Sequence, residues 1–291
     1  MHTPVLLDEV INLVPKNGVH VDATLGYGGH LKKVCETGSY RKLIAIDRDP
    51  LAINLAKQNL SNCQQDIFYA CSQFRNFSNI LKEAGIQNVS SVLFDLGVSS
   101  MQLDSSGNDE ARGFSFMRDE PLLMTMGSGT LTASEIVNEW GEQTIADALY
   151  HLADETNSRR IANAICEARK RAPIETTFDL VNIIKTVSSK KSKTNPATKT
   201  FQALRMLVND ELQNIEEGLD QAWKALSPGG RILVITFHSI EDRIVKQKFK
   251  QFIEMGNAIL INKKPITPSR QEVLNNKRSR SAKLRVIEKI N

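Results

Sequence analysis

An α/β fold, built on an open, mostly parallel sheet and interrupted by an inserted all-helical domain, is predicted by three features of the 291-residue chain. Short apolar runs alternate with amphipathic stretches as far as Leu96. The segment Asp22-Ala23-Thr24-Leu25-Gly26-Tyr27-Gly28-Gly29-His30 joins the first apolar run to the first helical pattern, as a strand-to-helix turn does in a Rossmann-like sheet. The alternation then stops from about 104 to 214 and resumes with the β-branched run Arg231-Ile232-Leu233-Val234-Ile235-Thr236-Phe237.

In chain order, strands are expected at 19–23, 43–47, 66–70 and 92–96, with helices at 29–37, 50–60 and 77–84 between them. Each strand is too short and apolar to be an amphipathic helix, and each connection is long enough for a crossover. Amphipathic stretches at 133–140, 144–152 and 159–170 fill the interruption. A long helix over 201–226 and the turn Ser227-Pro228-Gly229-Gly230 lead back into the sheet, which weaker strands at 258–262 and 284–288 complete. The polar, basic segment between those two reads as a loop that orders only on binding. The predicted organisation is a sheet domain from 1–103 and 215–291, with a helical, substrate-recognising insertion at 104–214.

A chain of this length with 41% hydrophobic residues can bury a large core. No apolar run reaches the ~20 residues of a membrane span, and the start lacks a signal-peptide layout, so a cytosolic protein without membrane contact is expected. Cys35, Cys63, Cys71 and Cys166 show no paired spacing and read as buried free thiols, with no metal site. The net charge of +4 is uneven: residues 263–291 carry nine basic side chains against Glu272 and Glu288, and 159–205 carry eleven against three acids. Charge gathered in two segments points to a polyanionic partner.

The glycine run lets the backbone approach a ligand closely, and flanking charge decides which ligand. Asp22, Asp47 and Asp95 each end an apolar run, which places three carboxylates at the ends of neighbouring strands. Such a crevice repels a pyrophosphate. It suits S-adenosylmethionine, which combines a sulfonium, an ammonium and a ribose diol with no phosphate. An NAD-dependent oxidoreductase shares the glycine loop and Asp47 but is disfavoured by Asp95; a non-catalytic RNA-binding factor accounts for the basic clusters but not for the acids.

Several collinear blocks carry a closer resemblance: residues 2–9, the loop at 22–30, Ala45-Ile46-Asp47-Arg48-Asp49-Pro50, the segment 95–104, Arg112-Gly113-Phe114-Ser115-Phe116, Asn195-Pro196-Ala197-Thr198, Phe201-Gln202-Ala203-Leu204-Arg205 and 237–243. Together they resemble the bacterial small-subunit ribosomal RNA cytosine-N(4) methyltransferases, the MraW/RsmH family. The resemblance implies a class I S-adenosylmethionine-dependent methyltransferase acting on a cytidine of 16S rRNA near the decoding centre, in the small subunit or its precursor, with a homodimer allowed. Carried over by position, it implies that Gly28, Gly29, His30, Asp47, Phe74, Asp95 and Gln102 hold the cofactor. The family's Gly-Asn-Phe-Ser reads Ser72-Gln73-Phe74-Arg75 here, which leaves Phe77 as a competing aromatic.

The exocyclic amine of cytosine is a poor nucleophile, so methylation needs in-line positioning and an acceptor for the departing proton. Many amino methyltransferases place an Asn/Asp-Pro-Pro-aromatic loop after the fourth strand, where this chain has Asp95-Leu96-Gly97-Val98. Asp95 is therefore the first candidate for the catalytic group and His238 the second. Phe114, Phe116 and Phe237 are candidates to stack an extruded base, with Arg112, Lys199, Arg205 and the Lys190, Lys191 and Lys193 run for RNA phosphates.

Overall fold

The computed structural model describes residues 4–97, 111–127, 131–188 and 195–291. Contacts group the chain into two compact units, Met1–Gly97 with Leu212–Asn291, and Val98–Glu211. In the first, β1 (Asn17–Asp22), β2 (Ser39–Asp47), β3 (Ile67–Cys71), β4 (Val89–Asp95), β5 (Leu226–Thr236), β6 (Ala258–Leu260) and β7 (Lys283–Lys289) form a seven-stranded sheet in the order β3-β2-β1-β4-β5-β7-β6. The first five strands are parallel; β7 runs antiparallel to β5, and β6 antiparallel to β7.

Strands covered on both faces read as unbroken apolar runs, which is why Leu43 to Ile46 of β2 and Ile232 to Ile235 of β5 are all buried. Each such side chain contributes roughly 1.5–3 kcal/mol of burial free energy. Helices α1 (Leu7–Leu13), α2 (Gly29–Thr37), α3 (Pro50–Asn59) and α4 (Phe77–Glu83) accompany the first four strands. Asp49 caps α3, accepting from the Leu51 N–H at 3.1 Å, and Pro50 opens it where a missing N–H costs nothing. The chain winds outward from β1 through β2 to β3 and then returns to place β4 on the other side of β1. That reversal opens a crevice at the carboxyl ends of β1 and β4, where open α/β sheets receive ligands.

The second unit holds α5 (Ala133–Glu139), α6 (Glu142–Ala153), α7 (Ser158–Arg169), α8 (Thr177–Val187) and α9 (Thr198–Val208) around its own core, which includes Ile136, Leu149, Ile161, Ile165, Leu180 and Leu204. Reciprocal capping boxes, Thr132 with Glu135 and Thr176 with Asp179, fix the starts of α5 and α8. Helix α10 (Glu211–Ala225) follows, then α11 (Ser239–Glu254) and α12 (Arg270–Asn275). Among the described residues, no helix is long and apolar enough to cross a membrane.

The structure corrects three expectations. The single helix over 201–226 is two, because Asp210 turns left-handed at φ 50° between α9 and α10. The basic segment expected to order only on binding is folded: it contains α12 and a 3-10 turn at Lys277–Ser281, and Glu272 Oε1 accepts the Leu6 N–H at 2.8 Å. Cys35 and Cys63 are not free thiols but a disulfide joining the end of α2 to the turn after α3. Their separation of 28 residues carries no local signal. Of the other two, Cys71 is exposed and Cys166 buried.

Candidate active site

Register puts the three acids on one face of the sheet. Asp22 pairs with Ala45 of β2 and Leu93 of β4, and Asp47 and Asp95 lie two residues further along those strands. Side chains two apart on a strand share a face, so all three carboxylates point to the same side at the carboxyl edge.

The loop after β1 is tied to these acids. Asp22 Oδ1 accepts the Thr24 N–H at 3.1 Å, Asp47 Oδ2 accepts the Gly26 N–H at 2.8 Å, and Asp47 Oδ1 accepts the Asp49 N–H at 2.9 Å. Thr24 Oγ1 takes the Asp95 N–H at 2.6 Å, so the loop braces β4 as well. Gly28 enters α2 with φ 75°, a conformation that favours glycine. A Cβ on Gly29 would stand 2.5 Å from Pro4 Cγ, so glycine there lets the N-terminal segment lie against the loop. His30 is buried, its Nε2 donating to the Val5 carbonyl at 2.9 Å and its Nδ1 3.6 Å from Asp95 Oδ2.

Crowding of carboxylates in a poorly hydrated crevice raises their proton affinity. Burial, followed by the charges of Asp22 and Glu241, lifts Asp95 to about 8. Burial raises Asp22 to about 7, with the Thr24 N–H opposing and Asp47 adding to the rise. Asp47 is also raised by burial, against the hydrogen bonds from Asp49 and Gly26. Beneath them His20, whose Nδ1 lies 2.7 Å from Ser91 Oγ, is lowered to about 3 by burial and then by His30. A crevice so rich in carboxyl groups favours a cationic, phosphate-free ligand. Asp95 Oδ1 is buried with no hydrogen-bond partner among the described residues, which leaves an acceptor for such a ligand.

Phe74 follows β3 and remains half-buried; its ring meets Phe94 edge-on at 5.3 Å. Gly218 of α10 makes room for it, since a Cβ there would lie 2.5 Å from Phe74 Cδ2. The competing Phe77 is fully buried in the core and presents no face to a ligand. At the end of β5, Phe237 packs over Gly97, which has φ 119° and whose added Cβ would meet Phe237 Cδ2 at 3.1 Å.

His238, the second candidate for the catalytic group, stands at the start of α11. Its Nδ1 accepts the Glu241 N–H at 3.3 Å as the N-cap of α11, and its Nε2 lies 3.0 Å from Glu241 Oε1. Nδ1 is thus engaged by its own helix, while the buried Nε2 makes no hydrogen bond among the described residues. Glu241, only 1% exposed, also takes the Phe237 N–H at 2.8 Å. Sequence reading passed over this buried acid because His rather than Ser or Thr occupies the cap of its capping box.

The helical unit carries the remaining predicted residues, with two corrections. Phe114 is buried in that unit's core, so its ring has no free face; the Arg112 guanidinium lies 5.7 Å from its centroid. Arg205 is held by Glu211 through two 2.8 Å hydrogen bonds, which occupy its fork. Phe116 is half-buried, edge-on to Phe201 at 5.6 Å, and the exposed Lys199 donates to the Asp154 carbonyl at 2.6 Å. Gln102, Lys190, Lys191 and Lys193 lie outside the described residues.

The MraW methylase family model matches residues 1–290. A ribosomal RNA small subunit methyltransferase H from Ehrlichia chaffeensis is 43% identical over 302 residues, covering 100% of both chains. Its counterpart from Brevibacillus brevis is 42% identical over 315 residues, covering 99% of this chain and 98% of its own. A solved rRNA methylase from Streptococcus thermophilus aligns at a TM-score of 0.48 and 10% identity over 100% of this chain and 99% of that one. With a match that runs nearly end to end, and with the glycine loop and its ring of strand-end acids inside it, the chain belongs to the MraW methylase family.

Proposed function

We propose that the protein is a cytoplasmic S-adenosylmethionine-dependent methyltransferase that modifies the exocyclic N(4) amine of a cytidine in 16S rRNA near the decoding centre. The single observation that carries this reading is the placement of Asp22, Asp47 and Asp95 on one sheet face beneath the glycine loop, in a chain whose full-length relatives are named as methyltransferases of small-subunit ribosomal RNA. When bound, S-adenosylmethionine supplies an electrophilic methyl group on a sulfonium.

The residues fit that donor. The Asp47 carboxylate, already fixed by two N–H groups, is placed for a ribose diol, while the half-buried Phe74 offers an aromatic edge for a base. Gly28, Gly29 and His30 shape the loop, and Asp95 with its unpartnered Oδ1 faces the reacting end. Gln102 belongs to this set by family position. Asp95 accepts a hydrogen bond from the substrate amine, drawing the nitrogen toward tetrahedral geometry and taking its proton. Phe237 is the base-stacking aromatic of the sheet unit; Phe116, Arg112 and Lys199 are the contacts offered by the helical unit, whose role is substrate recognition.

The basic ending adds backbone contact. Lys283 and Arg285 are tied to Asp242, and Lys289 donates to the Trp223 and Leu226 carbonyls. Lys263, Lys264, Arg270, Lys277 and Arg280 are exposed. Because β7 starts beside Thr236, at the carboxyl end of β5, the segment carrying these cations reaches the sheet edge that bears the acids. The test is transfer of labelled methyl from S-adenosylmethionine to naked 16S rRNA, precursor particles and small subunits from cells lacking the protein. Incorporation into one of these is expected; none into any, or binding of NADH in place of the donor, would overturn the reading.

A further inference from the structure

The His30 imidazole is held in one tautomer. A backbone carbonyl can only accept, so the 2.9 Å contact between Nε2 and the Val5 oxygen places hydrogen on Nε2 and leaves the lone pair of the neutral ring on Nδ1. That lone pair faces Asp95 Oδ2 at 3.6 Å, within a small side-chain shift of a hydrogen bond. The carbonyl that fixes the ring belongs to a segment anchored at its next residue, where the Leu6 N–H donates to Glu272. The Val5 carbonyl, the His30 ring and the Asp95 carboxyl thus follow one another by contact, and the last of them carries the buried, unpartnered Oδ1.

We propose that His30 is a positioning residue acting through Asp95, the two forming a proton-sharing pair that is emptied when a cationic donor binds and refilled from the substrate amine. This rests on the amine-methylation reading above. The balance closes. The lone pair of the amine forms the new C–N bond, and the S–methyl bond breaks with its electron pair remaining on sulfur, which becomes neutral. The amine, now positive, gives one proton to the Asp95 carboxylate left empty by donor binding, and the refilled pair of Asp95 and His30 again holds that single proton. The pair gains one positive charge as the sulfur loses one, so the crevice keeps its total charge.

The other groups around the pair favour this exchange. Asp22 on β1 and Glu241 on α11 bear on Asp95, Asp47 on β2 bears on Asp22, and His20 on β1 bears on His30. Burial, and then the charges of Asp22 and Glu241, lifts Asp95 to about 8, so without a ligand the pair holds a proton at neutral pH. A sulfonium alongside opposes that proton, whereas the thioether of the spent cofactor does not.

Calorimetry of the unmodified protein at pH 7, in buffers of differing ionisation heat, counts protons directly. More protons should be released on binding S-adenosylmethionine than on binding S-adenosylhomocysteine, and Asp95→Asn should abolish the difference; equal release in the unmodified protein overturns the proposal. A second measurement addresses His30. In His30→Gln, whose amide can still donate to the Val5 carbonyl, kcat at pH 7 and saturating S-adenosylmethionine should fall at least tenfold, about 1.4 kcal/mol in barrier. The acidic limb of the kcat profile should move to lower pH, because Asp95 loses the Nδ1 acceptor that stabilises its protonated form. An equal drop at every pH, or an unchanged profile, overturns the role of His30. The position of the methyl group on the wild-type product separates the readings: a methyl elsewhere than on the amine removes the function on which the pair depends, whereas a methylated amine with an unmoved limb removes only the pair.

Discussion

The carboxyl cluster sets a pH dependence of stability whose sign can be worked out. Asp95 has an ordinary value of 3.8 and is lifted to about 8 in the fold, and Asp22 to about 7. Between those limits the unfolded chain has released protons that the folded chain retains, so stability falls as pH rises. His20 acts oppositely: lowered to about 3 by burial, it makes the unfolded chain the better proton binder below 6.5, so stability there rises with pH. The clean window is therefore from 6.5 to 8. Each pH unit over which the fold retains one extra proton costs about 1.4 kcal/mol. Since a quarter of the Asp95 side-chain surface remains exposed, we expect about 1–2 kcal/mol over that window from this group. In a unit of this size, that is a fall of about 2–8 °C in Tm for the ligand-free protein. Asp95→Asn removes the ionisation, so its Tm should vary less across the window and exceed the wild-type value at pH 8. Differential scanning calorimetry at pH 6.5, 7.2 and 8 decides it. A wild-type Tm independent of pH, or an Asn variant equally sensitive to pH, would refute the reasoning.

Asp47→Ala, which frees the Gly26 and Asp49 N–H groups, should weaken S-adenosylhomocysteine binding by about 1.5–3 kcal/mol, the value of hydrogen bonds to a charged group, with the fold retained by circular dichroism. Unchanged affinity by titration calorimetry would remove Asp47 from the site. Gly218→Ala should add helix propensity of about 1 kcal/mol yet displace Phe74, lowering cofactor affinity by about 0.5–1.5 kcal/mol, the scale of an aromatic contact. Affinity equal to wild type would show that Phe74 does not touch the donor. Replacing Lys264, Lys277 and Arg280 by Gln should make the logarithmic salt dependence of RNA binding shallower by about 2, at roughly 0.7 per phosphate on single strands, while S-adenosylhomocysteine affinity stays unchanged. An unaltered slope in filter binding would make this surface merely solvated.

The parallel strands were legible because strands buried on both faces must be apolar throughout, as Leu43 to Ile46 and Ile232 to Ile235 are. The same logic made Asp22, Asp47 and Asp95 conspicuous, each an acid closing such a run. Three kinds of feature were hidden. The Asp210 break interrupts a continuous helical pattern at a residue whose left-handed turn has no signature beyond being Asp. Long-range pairs such as Cys35 with Cys63, or Leu6 with Glu272, depend on how the sheet winds rather than on spacing. Residue type also misleads where burial and pairing decide what a side chain can reach: Phe114 looks like a stacking platform but fills a core, and Arg205 looks like a phosphate ligand but is bound to Glu211.

The most direct test of the central claim is where the methyl group goes. Small subunits from cells lacking the protein would be treated with it and isotopically labelled S-adenosylmethionine, and the 16S rRNA digested to nucleosides and mapped by mass spectrometry. Labelled N(4)-methylcytidine at a single position is the expected result, lost with Asp95→Asn. Label on a ring carbon, on a ribose oxygen or on a nucleoside other than cytidine would contradict it.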